Sequence, residues 1–148
     1  MWHFCGIGNT RKMEKVQERA LRFVYKDFNS SYEQLLAKGE HSTLYLTRIR
    51  YIATEFYKCM NQINPLYLQE FSNPIHTEYS LRNQRPVYQP KCRTIRYGIN
   101  SFRYKGSKIW NSLPANIQRC VSLNEFKILI KTWNGPFCKC LMCERMNQ

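Results

Sequence analysis

Residues 11–26 read RKMEKVQERALRFVYK, and their periodicity of about 3.6 residues makes this a helical stretch and sets the fold class. At about 100° of rotation per residue, Met13, Val16, Ala20, Phe23 and Val24 gather on one side. Arg11, Lys15, Arg19, Arg22 and Lys26 fall within a stripe about 80° wide on the other. The apolar side is expected to pack, and the opposite side to present a row of positive charge. Glu14 and Glu18 stand beside that row, where pairing with neighbours four positions away is their ordinary role. Asn9 and Thr10 are suited to cap the helix.

Further helices follow from the same signals. Ser30 with Glu33 reads as a capping box opening a short helix, Tyr32 to Lys38, which Gly39 closes in the left-handed conformation. Ser42 caps a longer helix whose Ile49, Ile52, Ala53, Phe56, Met60 and Ile63 recur at helical spacing until Asn64 and Pro65 stop it. Helical patterning returns at Phe102 to Leu113, before Pro114. It appears again after the capping box Ser122 to Glu125, where Phe126, Leu129, Ile130 and Trp133 share a face. Trp110 and Trp133 sit on apolar helix faces and are expected to anchor the core. The expectation is a mainly α protein, a small bundle of about five helices.

Between these parts the pattern changes. From 71 to 100 the helical period is lost, with Pro74, Pro86 and Pro90 interrupting it. Short extended pieces fit at Tyr79–Leu81, Val87–Gln89 and Thr94–Tyr97. So long an irregular stretch inside a compact domain points to a functional loop, or to a segment that orders on a partner. The organisation read from the sequence is a helical part over 1–70, an irregular basic and aromatic segment over 71–100, helices over 101–135 and a flexible cysteine-containing tail over 136–148.

Charge points to the partner. The chain has 148 residues and a net charge of +13. Residues 1–60 hold ten Lys/Arg against six acids, and residues 61–148 hold thirteen against four. From Tyr79 to Lys108 there are eight basic side chains (Arg82, Arg85, Lys91, Arg93, Arg96, Arg103, Lys105, Lys108), four tyrosines including Tyr97, and no carboxylate. Cations gain free energy by displacing counterions from a polyanion, and aromatic rings offer faces to unpaired bases. RNA or DNA is therefore the expected partner, and no small-molecule substrate or membrane is expected.

No uninterrupted apolar run exceeds four residues, which argues against a secretory leader and a membrane span. Seven cysteines, an odd number, suit a reducing intracellular compartment better than a disulfide framework. Cys138, Cys140 and Cys143 are the candidate metal ligands, with zinc the one candidate cofactor. A closed zinc site needs four ligands, and the spacing of this trio favours free thiols. Cys59, Cys92 and Cys120 read as small core or surface residues. His3, His41 and His76 have no nucleophile or acid at a telling spacing. The only aspartate is Asp27, so the carboxylate set that holds two catalytic metals is missing and no enzyme activity is expected of this chain.

Two blocks carry a resemblance. One is Trp2 His3 with Asn9 Thr10 Arg11 Lys12 Met13 Glu14 Lys15 Val16 Gln17 Glu18 Arg19 Ala20 Leu21 Arg22. The other runs from Tyr97 Gly98 through Ser101 Phe102 Arg103 Tyr104 to Lys108 Ile109 Trp110 Asn111 Ser112 Leu113 Pro114, followed by Ser122, Phe126 and Lys127. Together they resemble the region downstream of the polymerase core in reverse transcriptases of non-LTR (jockey-like, LINE-type) retrotransposons. The resemblance implies an intracellular, in part nuclear, setting. It also implies a fragment whose Met1 corresponds to an internal point of a longer RNA-directed DNA polymerase, whose metal-binding aspartates lie upstream. Two roles follow from it: contact with RNA or DNA through the basic surfaces, or docking on the missing polymerase core as a protein-interaction piece that binds no nucleic acid itself.

Overall fold

The first helix turns inward a face other than the one its apolar residues mark. The structure, a computed structural model, describes residues 7–72 and 87–135, with the side chains of Ile7 and Arg96 excepted. The chain divides within the third helix into two compact units, Met1–Ile49 and Arg50–Gln148. Among the described residues the fold is mainly α, with five helices of seven residues or more and no strand.

In the first unit, α1 spans Ile7–Tyr25, so Asn9 and Thr10 lie inside it rather than at its cap. Its Leu21 packs with Leu35 and Leu36 of α2 (Tyr32–Lys38), and Tyr25 and Tyr32 lie against that cluster. Val16, Ala20, Phe23 and Val24, expected in the core, are exposed. The rotation of α1 is decided by polar contacts instead. Glu14 accepts hydrogen bonds from the backbone N–H of Leu44 (3.3 Å) and of Tyr45 (2.9 Å), the first turn of α3 (Leu44–Met60). The Tyr32 hydroxyl donates to Glu14 at 2.7 Å, and Gln17 Nε2 donates to the Ser42 carbonyl at 3.3 Å. Glu14, Gln17, Leu21 and Tyr25 recur at helical spacing, so a carboxylate seated on the positive end of α3 turns this line inward. Burial, and next the bond to Glu14, push the Tyr32 phenol well above its ordinary range.

The caps shift by one residue from the sequence reading. Ser31, not Ser30, opens α2, in a reciprocal capping box with Gln34. Ser30 is already engaged: its hydroxyl donates to Asp27 at 2.6 Å and its N–H to the same carboxylate at 3.0 Å. Lys38 also reaches Asp27, and with the Ser30 bonds holds that carboxyl well below the usual range. Gly39 is not left-handed (φ −106°); Glu40 takes that conformation (φ 51°). A Cβ at 39 would run into the Tyr25 hydroxyl and the His41 ring, so the glycine leaves room for both. Thr43, rather than Ser42, caps α3, its Oγ1 accepting from Leu46 N–H at 3.2 Å.

The second unit is built on aromatic rings. Ile52, Ala53, Phe56, Tyr57 and Cys59 of α3 are buried, as are Ile109 and Trp110 of α5 (Phe102–Ser112). Two short helices not anticipated from the sequence, α4 (Leu66–Gln69) and α6 (Ala115–Gln118), precede and follow α5. Phe126 of α7 (Leu123–Thr132) stacks on Tyr57 at 4.4 Å and on Trp110 at 6.1 Å between centroids. A Cβ on Gly106 would lie 2.5 Å from the Phe56 ring, so glycine lets α5 approach α3 closely. The Tyr57 hydroxyl donates to the Cys120 carbonyl at 3.0 Å, and Arg50 donates twice to the Trp133 carbonyl, at 3.1 and 3.2 Å. Ser122 caps α7 as expected, accepting from Glu125 N–H at 3.2 Å. α3 ends at Met60, and Ile63, expected on its apolar face, lies beyond it and is exposed. Thr94–Tyr97 is not extended: Ile95–Ile99 winds into a π-helical turn. Val87–Gln89 forms no strand, and Tyr79–Leu81 lies outside the described residues.

Candidate nucleic-acid interface

The run Lys108 to Pro114 holds the loop before it in place. Ile109, Trp110 and Leu113 are buried in the core of the second unit. Asn111 faces the incoming chain and pairs with both backbone groups of Val87: its Oδ1 accepts from Val87 N–H at 3.1 Å and its Nδ2 donates to the Val87 carbonyl at 2.8 Å. A side-chain amide thus supplies the two bonds that a neighbouring strand would offer, and fully buried Val87 is fixed at that point. Gln118 Nε2 donates to the carbonyls of Trp110 (2.8 Å) and Leu113 (3.1 Å), closing the end of α5. The polar role of Asn111 was not legible in advance, because its partner lies 24 positions away.

The other end of the loop is held as firmly. Ile99 N–H bonds the Thr94 carbonyl and Asn100 N–H the Ile95 carbonyl, both at 3.0 Å, the five-residue spacing of a π turn. A Cβ on Gly98 would lie 2.7 Å from that of Cys92, so the glycine lets the chain fold tightly over its own preceding turn. Ser101 Oγ accepts from Tyr104 N–H at 3.3 Å and donates to the Gly98 carbonyl at 2.6 Å, joining the turn to α5. This braced segment presents Tyr97 (79% exposed), together with exposed Tyr88, Lys91, Arg93 and Ile95, and exposed Arg103 and Lys108 follow on α5. Lys105 is half-buried, and Arg96 is described through its backbone in the π turn only.

On α1, in the first unit, Arg11, Lys15 and Arg19 are exposed, joined by Lys12; Lys26, expected in the same row, is exposed but lies past the helix end in the left-handed conformation (φ 50°). Arg22 differs: it is half-buried, pairs with Glu18 at 2.8 Å and donates to the Phe28 carbonyl. It braces the end of α1 rather than extending the row. Arg82, Arg85, Cys138, Cys140 and Cys143 lie outside the described residues. Among the described residues no group of three His, Cys, Asp or Glu side chains is placed to hold a metal, and no helix is long and apolar enough to cross a membrane. Burial raises the thiols of Cys59 and Cys120 above their ordinary range, which makes them poor nucleophiles.

No protein-family model, no curated protein and no solved structure matches the chain.

Asn111→Ala is expected to lower stability by about 1–3 kcal/mol, since it strands a buried N–H and a buried carbonyl at Val87. Asn111→Asp restores the acceptor but not the donor and should recover only part of this. Urea titration with hydrogen exchange checks it: amide protection over residues 87–99 should fall first. A variant that unfolds like wild type with the same protection would show that the clamp does not hold the loop.

Proposed function

We propose that this chain is a noncatalytic segment that contacts nucleic acid, gripping single strands through their phosphates with bases stacked on its exposed tyrosines. The observation that carries the reading is Tyr97, exposed on a π turn packed over Cys92 at Gly98 and joined to α5 by Ser101, in a stretch with exposed Arg93, Arg103 and Lys108 and no carboxylate from Tyr79 to Lys108. Because Tyr97 is presented on a braced backbone, a stacking base need not order the loop first, which lowers the cost of binding. The cation row of α1 supports the same class of partner by counterion release. Asp27, the one aspartate, is committed to Ser30 and Lys38, so the reading assigns the chain no metal-dependent chemistry.

The two sequence blocks resemble the C-terminal region of non-LTR retrotransposon reverse transcriptases, a family that copies RNA into DNA, and the reading takes this segment in that setting. In that setting it holds template or product strands while another part of the protein polymerises. Its compartment would then be intracellular, with access to the nucleus.

The test is binding of a fluorescent single-stranded RNA across a salt series. Log K is expected to fall linearly with log salt, by about 0.7 per phosphate contact. Tyr97→Ala should cost about 1–3 kcal/mol at every salt concentration, because stacking is not ionic. Reversing Arg11, Lys15, Arg19 and Lys26 to Glu should remove measurable binding and flatten the salt slope. Affinity that ignores both salt and these substitutions would overturn the reading.

A further inference from the structure

Exposed apolar residues scattered singly are ordinary, but α1 carries a continuous line of them. Val16 is 63%, Phe23 79% and Val24 71% exposed, Ala20 lies between them, and Phe28 (65%) meets Phe23 edge-on at 6.4 Å. The positions 16, 20, 23 and 24 are one face of a helix over more than two turns. Two borders define it. On one side Lys12 and Arg19 project, both exposed, and exposed Lys26 follows just past the end of α1. On the other, Leu21 is packed beneath α2.

We propose that this face is a docking site for an amphipathic helix of another protein, with an apolar stripe and a row of Asp or Glu along one border. The apolar stripe meets Val16, Phe23 and Val24, and the acidic border meets Lys12, Arg19 and Lys26. Charge excludes the simpler occupants. A second copy of α1 laid on the first would set cations beside cations. The chain offers no acidic helix of its own either: beyond Glu40 its carboxylates, Glu55, Glu70, Glu78, Glu125 and Glu144, stand at least eight residues apart. A bilayer suits a helix whose polar surface is cationic on both flanks of the apolar one, whereas here one flank is closed by packed protein. The proposal shares cations of α1 with the nucleic-acid reading but stands on an apolar face, none of whose residues belongs to that surface.

The experiment uses the full chain and a labelled helical peptide with leucines at i, i+3, i+4 and i+7 and glutamates along one border. Its controls are the same peptide with lysines replacing the glutamates, and one with serines replacing the leucines. The acidic peptide is expected to bind at least about tenfold more tightly than either control, and Phe23→Ser with Val24→Ser to weaken it by at least about tenfold. Helix content and RNA affinity should be unchanged in that variant. Should RNA binding fail while the peptide result holds, only the nucleic-acid reading falls. Three results would overturn the docking site: equal binding of the acidic and basic peptides, self-association of the chain that the double variant abolishes, or binding to equimolar phosphatidylcholine and phosphatidylserine vesicles with no peptide binding.

Discussion

Phe126→Ala should lower the stability of the second unit by about 3–5 kcal/mol, a large fraction of the about 5–15 kcal/mol usual for a domain. The ring is fully buried, stacked on Tyr57 at 4.4 Å and on Trp110 at 6.1 Å. Both neighbours are tied down: the Tyr57 hydroxyl is bonded to the Cys120 carbonyl, and Gln118 holds the Trp110 carbonyl. They cannot lean in to fill the space, so the cavity persists and the cost falls at the upper end. Ile128→Ala is the control, because that side chain is exposed on the same helix and should cost less than about 0.5 kcal/mol. Urea unfolding of the two variants gives the comparison. Equal midpoints would mean that the aromatic stack is not the core.

The second large effect is expected at Glu14, in the first unit. Glu14→Ala removes the acceptor for two backbone N–H groups at the start of α3 and the charge facing Arg48 at 3.8 Å. The Arg48 side chain is 15% exposed, and its Nη1 and Nη2 find no hydrogen-bond partner among the described residues. Glu14 is therefore their compensation. Losing it should cost about 3 kcal/mol, at the low end for a broken buried pair because some solvent reaches the site. Glu14→Gln keeps an acceptor for the helix end and should cost about 1 kcal/mol. Glu18→Ala, which breaks a more exposed pair with Arg22, should cost less than about 1 kcal/mol. Adding Arg48→Met to Glu14→Ala should restore part of the loss, and a double-mutant cycle measures that coupling. No coupling, or a Glu14 variant as stable as the Glu18 one, would remove Glu14 from its central place. The turn that Glu14 imposes on α1 decides which of its sides is left exposed.

Much of the secondary structure was legible because its causes are local. Tyr32–Lys38 has the bounds expected from its sequence, Ser122 caps α7 through a residue three positions away, and Pro114 follows the end of α5. The burial of Phe56, Trp110, Phe126 and Ile130 follows from apolar residues at helical spacing. The candidate interface was legible as composition, in the cations and tyrosines of 79–108. Its presentation was not, because the clamp is one asparagine reaching back 24 residues and the turn depends on Cys92 packing against Gly98.

The sequence alone determined that this protein is mainly helical, that Tyr32–Lys38 is a helix and Ser122 opens the last one, and that cations outnumber acids, since neighbouring residues and a charge count settle those properties. Tertiary structure alone decided which side of α1 faces inward. Apolar periodicity nominated Val16, Phe23 and Val24, yet Glu14 found two N–H groups thirty positions away, and a carboxylate on a helix end outweighed several ungathered methyl groups. Periodicity records where a helix is greasy, whereas its orientation depends on partners that only the folded chain brings near.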